Sequence, residues 1–295
     1  MKSKLLRPEL CAALGNIIWG FGFLFTKLGL SNVPDPNIML AHRFLLSTLC
    51  MALFIVTGKE KISFRGKNWK PITLLLLMQI IYYFFETNAV IHSSTTIAGL
   101  VLAVVPVAAI GTGALFLREY PTRRQLLFCI LPVAGVIIMT VSGQELGAVT
   151  PLGVVFLFLT MLASALYKTA NRKAALDFTP FERTIIVLAT SAIAFTALAM
   201  NAVGWDIKAF AAPLLDWKYL LVVLCLSLLC SISANLLVNY ASGKMSVFKV
   251  ASFGSLSTLC SAVAGVVFLK ESINLSLILG AVLILVGIRQ VTNPK

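Results

Sequence analysis

Phe116-Leu117-Arg118-Glu119 recurs 152 positions later as Phe268-Leu269-Lys270-Glu271, and the same shift carries Gly113 onto Gly265, Gly135 onto Gly287 and Ala89 onto Ala241 without a gap. One such coincidence is chance; the set marks two copies of one unit. Around these landmarks, apolar runs separated by turn signals fall near 9–30, 37–57, 70–91, 96–117, 124–143, 151–170, 181–203, 217–241, 246–268 and 272–291. Each run approaches the roughly 20 residues that a bilayer crossing needs. Five runs fall in each copy, and because five is odd the second copy enters the membrane from the opposite side. The expected fold is an all-α membrane protein with ten transmembrane helices, arranged as two inverted-topology five-helix repeats. The first repeat is placed at 1–143 and the second at 151–295, with 144–150 as an extracytoplasmic linker.

Composition agrees with lipid. Of 295 residues, 59% are hydrophobic and only 12% charged, against about 45–50% and about 25% in soluble domains. Disordered, collagenous and disulfide-stapled classes are excluded on the same grounds. The formal charge of +13 would suggest nucleic acid in a soluble chain, but here it is the bias expected of cytoplasmic loops, and no nucleic-acid partner is expected. With the N-terminus cytoplasmic, 19 Lys and Arg fall inside, three outside (Lys208, Lys218, Lys270) and two within spans (Lys27, Arg43). Both termini are therefore expected in the cytoplasm, in a multi-pass protein of the cell (inner) membrane. The first apolar run continues through Trp19 without a small-residue cleavage pattern, so it reads as an uncleaved span. The six cysteines all lie in apolar runs with no C-x-x-C pair, which makes them small buried hydrophobes.

Inverted repeats let two halves exchange conformations about a site near the bilayer midplane, which points to transport. The residues that carry the pattern also resemble a known group. Trp19-Gly20 followed by Lys27, Arg43-Phe44, Pro106 with the Phe-Leu-Arg-Glu119 motif, and the recurrence at Phe-Leu-Lys-Glu271 resemble the EamA-type branch of the drug/metabolite transporter superfamily. The resemblance covers essentially the whole chain. It implies that spans one to four and six to nine surround a central cavity, with spans five and ten packed outside it. It leaves the substrate open among amino acids, sugars, nucleotide-linked compounds and drugs. The second half departs from the first at Thr258, where Pro106 would recur, and at Val238, where Glu86 would, so function is expected to be asymmetric.

Ionisable groups inside spans are costly, and their placement is the sharpest chemical information in the chain. Glu86 lies five residues, roughly 7–8 Å, below the outer end of the third span. Arg43 lies at similar depth in the second span, and Lys27 slightly nearer the edge of the first. As a cluster these three would bind a zwitterion, carboxylate toward Arg43 or Lys27 and amine toward Glu86, and Glu86 could also carry a coupling proton. The alternative has Lys27 and Arg43 reaching the outer headgroups while Glu86 closes a structural ion pair. Cavity walls are suggested by Gln79, Tyr83 and Glu86 on one helical face flanked by Tyr82, by Trp19 and Phe23, and by Ser231, Asn235 and Asn239 at i, i+4 and i+8. The alternative for the asparagines is an interhelical hydrogen bond.

Glu119 and Glu271 sit at short junctions where a carboxylate suits the N-terminus of the next helix, a structural and gating role. Gly280 and Gly287 suggest tight packing of the last helix or a dimer contact. His42, beside Arg43, reads as a headgroup contact. No metalloprotease, nucleophile-elbow, P-loop or Cys/His metal pattern occurs, so catalytic residues, metal and cofactors are all expected to be none, and no enzymatic activity is expected. The reading is a secondary active transporter, exporting a small metabolite such as an amino acid or amphipathic amine by alternating access. The alternatives are an organic cation or drug transporter, an uptake carrier of the same fold, or an intramembrane enzyme or scaffold. Expected partners are a small-molecule substrate, the lipid bilayer and a proton or another coupling ion, in a monomer or homodimer.

Overall fold

Ten apolar runs become a helical bundle in a computed structural model. The structure describes residues 7–92 except 31, 34 and 64, then 104–141, 151–269 and 275–292; side chains 23, 24, 27, 86–92, 139–141, 154, 261–262, 265–266 and 268–269 are also outside the description. The first repeat holds α1 (Pro8–Leu30), α2 (Pro36–Val56), α3 (Trp69–His92), α4 (Val105–Leu117), and α5 (Arg123–Phe128) with α6 (Ile130–Val141), which together make the fifth span. The second holds α7 (Pro151–Ala174), α8 (Pro180–Ala202), α9 (Trp217–Lys244), α10 (Val247–Ser252) with α11 (Ser255–Leu269), and α12 (Leu275–Thr292). Among the described residues, α2, α7, α8, α9 and α12 are each long and apolar enough to cross a membrane. The linker expected at 144–150 lies outside the described residues.

Helix starts are written locally. Asp35 accepts from the Asn37 N–H at 2.7 Å ahead of Pro36. Thr122 with Gln125, and Thr179 with Glu182, form reciprocal capping boxes at the starts of α5 and α8. Two of the three lie at the end of the bundle where α1 begins, called here the proximal end; α1 finishes and α2 begins at the distal end.

The bundle turns its apolar surface outward. Leu49, Leu53, Phe158, Ile193 and Val282 are all more than half exposed, whereas Asn16, Thr112, Asn171, Asn239 and Arg183 are buried. That inversion is stable only against hydrocarbon, where polar groups must find partners inside the protein. Trp205 and Trp217 stand exposed at the distal end and Tyr120 at the proximal one, levels at which amphipathic rings meet headgroups.

Contacts between repeats give the inverted pairing. α3 packs on α7 and α1 on α9, the same pairing made once by each repeat; α2 packs on α8 and α6 on α12, each with its own counterpart. The fifth and tenth spans thus lie against one another. A Cβ at Gly135 would come within 2.6 Å of the Gly280 carbonyl oxygen, and one at Gly287 would strike the Pro132 ring. Gly280 and Gly287 therefore serve packing inside the chain. Along α1, a Cβ at Gly20 would lie 2.6 Å from the Ser257 carbonyl and one at Gly15 would lie 2.6 Å from Val238 Cγ2, so the first span sits deep between α9 and α11.

Candidate substrate-binding site

The polar centre is built around a defect in α9. Residues Leu226–Ser233 widen into a π-turn, a geometry that frees main-chain carbonyls and is frequent at functional sites. The freed oxygens are met by side chains. Ser233 Oγ donates to the Leu228 carbonyl at 2.8 Å, Asn235 Nδ2 to the Ser231 carbonyl at 2.7 Å, and the Trp19 indole N–H, from α1, to the Cys230 carbonyl at 2.9 Å. Trp19 and Ser231 both stand near the middle of their helices.

Arg43 completes this centre from α2. Its Nε donates to Ser231 Oγ at 2.6 Å, and its guanidinium carbon lies 5.5 Å from the Phe44 ring centroid. The Ser227 hydroxyl in turn donates to the Arg43 carbonyl at 2.9 Å. Among the described residues no carboxylate lies within ion-pair distance of Arg43. Half-buried, Arg43 bonds Ser231 within the bundle, an arrangement unlike a side chain extended to headgroups.

An aromatic wall adjoins it. Tyr83 packs edge-on against Phe44 at 5.9 Å and Phe195 at 5.4 Å, and Tyr82 meets Tyr83 at 5.2 Å. Gln79 is half-buried one turn below Tyr83. The backbone of α3 carries Glu86 one turn beyond Tyr83, and α1 carries Phe23 and Lys27, but those three side chains lie outside the described residues. Arg43, Trp19, Asn235 and the tyrosines are thus gathered near one level of the bundle.

Asn239 belongs to a different cluster. Its Oδ1 accepts from Asn171 Nδ2 at 2.8 Å and its Nδ2 donates to Thr184 Oγ1 at 2.8 Å. At the same place Arg183, with no exposed surface, donates from Nη1 to Asn171 Oδ1 at 2.6 Å and from Nη2 to the Asn239 carbonyl at 2.5 Å; its Nε has no partner among the described residues. This network ties α7, α8 and α9 together through hydrogen bonds between helices, the alternative weighed for Asn239, whereas Asn235 bonds carbonyls of its own helix. Lys168 and Arg183 fall inside the runs expected at 151–170 and 181–203 but were counted only toward the inner charge excess. The capping box at Thr179 starts α8 before Arg183.

Two carboxylates are paired with cations at the proximal end. Glu119 accepts from Arg172 Nε at 2.9 Å and from the Val247 N–H at 2.8 Å, while Arg172 Nη1 donates to the Gly243 carbonyl at 2.8 Å. The helix following Glu119 is capped by Thr122 instead, so the carboxylate of the first repeat caps α10 of the second: a correction to the local role expected of it. Glu182 holds Lys67 at 2.5 Å and the Ser63 N–H at 2.9 Å. Glu271 lies outside the described residues. At the distal end His42, 4% exposed, bonds the Tyr219 hydroxyl at 2.9 Å and packs on Phe210 at 4.6 Å. It is therefore a buried packing group and makes no headgroup contact.

Apolar outside, hydrogen-bonded inside, and paired in inverted halves about a helix widened by a π-turn, the chain is a multi-pass membrane protein with the architecture of a carrier. It belongs to the EamA-like transporter family, which residues 6–141 and 151–292 match. It is similar to the uncharacterized transporter YcxC of Bacillus subtilis (strain 168), 31% identical over 98% of this chain and 93% of that protein. It is also similar, at 23% identity over 94% of this chain and 92% of the relative, to a Salmonella typhimurium (strain LT2) protein described as a "Probable amino-acid metabolite efflux pump". A solved crystal structure 17% identical superposes with a TM-score of 0.75, covering 97% of this chain and 96% of its own, which shows the shared fold. Family and relatives are transporters rather than enzymes.

Proposed function

We propose that the protein is a secondary active exporter of a small metabolite such as an amino acid or amphipathic amine, working by alternating access from the cytoplasmic face of the inner membrane. The observation that carries this reading is the meeting of Arg43 and Trp19 from the first repeat with the π-turn of α9 from the second, midway along the bundle. A site between repeats is the place where rocking of one half against the other changes access. The excess of Lys and Arg in segments at the proximal end supports placing that end, with both termini, in the cytoplasm. Arg43, Lys27 and Glu86 are assigned to the polar ends of the substrate, with Trp19, Phe23, Gln79, Tyr82, Tyr83 and Asn235 as walls. Asn239 supports α9 from behind. A proton or exchanged metabolite drives the cycle.

The test is flux into reconstituted vesicles from a panel of amino acids and amines. Saturable uptake should fall at least about tenfold in Glu86→Gln and Arg43→Gln, equivalent to about 1.4 kcal/mol of lost interaction, and persist in Arg124→Gln. Absence of saturable flux for every compound, or equal loss in all three variants, overturns the reading.

A further inference from the structure

Among the described residues of the proximal half, Lys168 is a half-buried cation that no carboxylate meets. Glu119 is taken by Arg172 and the Val247 N–H, and Glu182 by Lys67 and two main-chain N–H groups. Arg183 is met by oxygens of Asn171 and Asn239. Lys168 makes no hydrogen bond or ion pair among the described residues.

The rotation of α7 fixes where Lys168 points. Three residues on, Asn171 bonds Asn239 of α9; one residue on, Thr169 bonds Thr112 of α4 at 2.8 Å. At about 100° per residue, Lys168 falls between those two directions, toward the middle of the bundle. Leu152, Val155, Phe158, Leu162 and Lys173 mark the exposed face of α7, roughly 80–160° away by the same spacing.

Snorkelling does not relieve the charge. Lys168 lies six residues, about 9 Å, from the proximal end of α7. Side chains lean toward their helix N-terminus, which for α7 is the distal end, so the stem is directed into the membrane's depth. The shorter way out is occupied by Arg172 and its bonds to the carbonyls of Ser242 and Gly243. An ammonium within a membrane span is costly, and an intramembrane charge of this kind marks a functional site.

We propose that Lys168 binds the carboxylate of the transported metabolite, as a second station proximal to Arg43. This rests on the transporter reading above and narrows its substrate to compounds bearing a carboxylate. α7 and α9 run in parallel with Asn171 level with Asn239, so Ser231 and its partner Arg43 stand about five residues, roughly 7–8 Å, distal to Lys168. A carboxylate leaving one cation is then within reach of the next. Lysine suits a station that must release its ligand, because its point charge binds without the two-pronged geometry of a guanidinium.

The experiment follows thermal unfolding of the purified full-length protein in nanodiscs with L-leucine, L-glutamate or succinate, each beside its amide and beside sodium chloride. A carboxylate probe should raise the unfolding temperature of the wild type, and its amide and chloride should not. Lys168→Gln should weaken that response at least tenfold in probe concentration, Lys168→Arg should retain most of it, and Lys168→Gln without ligand should unfold no lower than the wild type. Equal responses to acid and amide, or to chloride, overturn the proposal, as does an unchanged response in Lys168→Gln or no response to any carboxylate. Vesicle flux separates the two readings. Flux lost in Arg43→Gln but intact in Lys168→Gln discards the lysine station and keeps the transporter, whereas absence of flux discards the transporter itself.

Discussion

Arg183 shows what one side chain does in this interior. Its guanidinium spans from Asn171 on α7 to Asn239 on α9, a reach and planarity that an ammonium lacks. Arg183→Lys should therefore lower stability by about 2–4 kcal/mol, since it strands buried acceptors while keeping the charge; unfolding in detergent micelles measures it. A smaller loss, about 1–2 kcal/mol, is expected for Trp19→Phe, which removes the indole donor from the Cys230 carbonyl while preserving an aromatic ring. Legibility at this scale was uneven. Arg43 and Trp19 stood out as a charge and an aromatic inside apolar runs. Arg183, at the start of the run expected at 181–203, was counted only toward the inner charge excess, although Thr179 and Glu182, three apart, mark a helix start ahead of it.

Elements were easier to read than their irregularities. The expected runs at 37–57 and 181–203 correspond to α2 (Pro36–Val56) and α8 (Pro180–Ala202), because hydropathy and Pro-bearing turns act over whole windows. The π-turn in α9 has no such mark: Leu226–Ser233 reads as an ordinary apolar run with three serines, and its widening is stabilised by Trp19, distant in sequence. Packing of spans five and ten was half legible, since the glycines were evident but their partner was not. Gly135→Ala should push α6 from α12 and cost about 1–3 kcal/mol. Gly111→Ala, with nothing within 4 Å of the added carbon, should be neutral or slightly stabilising. Comparing the two by chemical unfolding distinguishes a required close approach from a general effect of glycine in helices.

For the molecule as a whole, the repeat makes each end comparable with the other. The shift of 152 places Gly20 where the distal end would need an Arg172, and Leu30 with Tyr219 where it would need Glu182 with Lys67. The two ionic latches of the proximal end therefore have no full counterparts. On the proposed cycle, opening that end breaks charge-assisted bonds worth about 1.5–3 kcal/mol each, on the order of ten- to hundredfold in population. A cysteine introduced at Ser242, 4% exposed behind Arg172, should resist a polar maleimide when the native cysteines are replaced. Adding Glu119→Gln should raise its labelling rate about tenfold or more; an unchanged rate would show that the latch does not govern access.

The one-sided latch also has a kinetic consequence. An empty carrier that rests closed at its latched end receives cargo at once from the other side, while cargo on the latched side waits for a rare thermal excursion. In liposomes that hold the protein in random orientation, an external labelled ligand would then bind in two phases, at once to the molecules whose unlatched end faces outward and slowly to the rest.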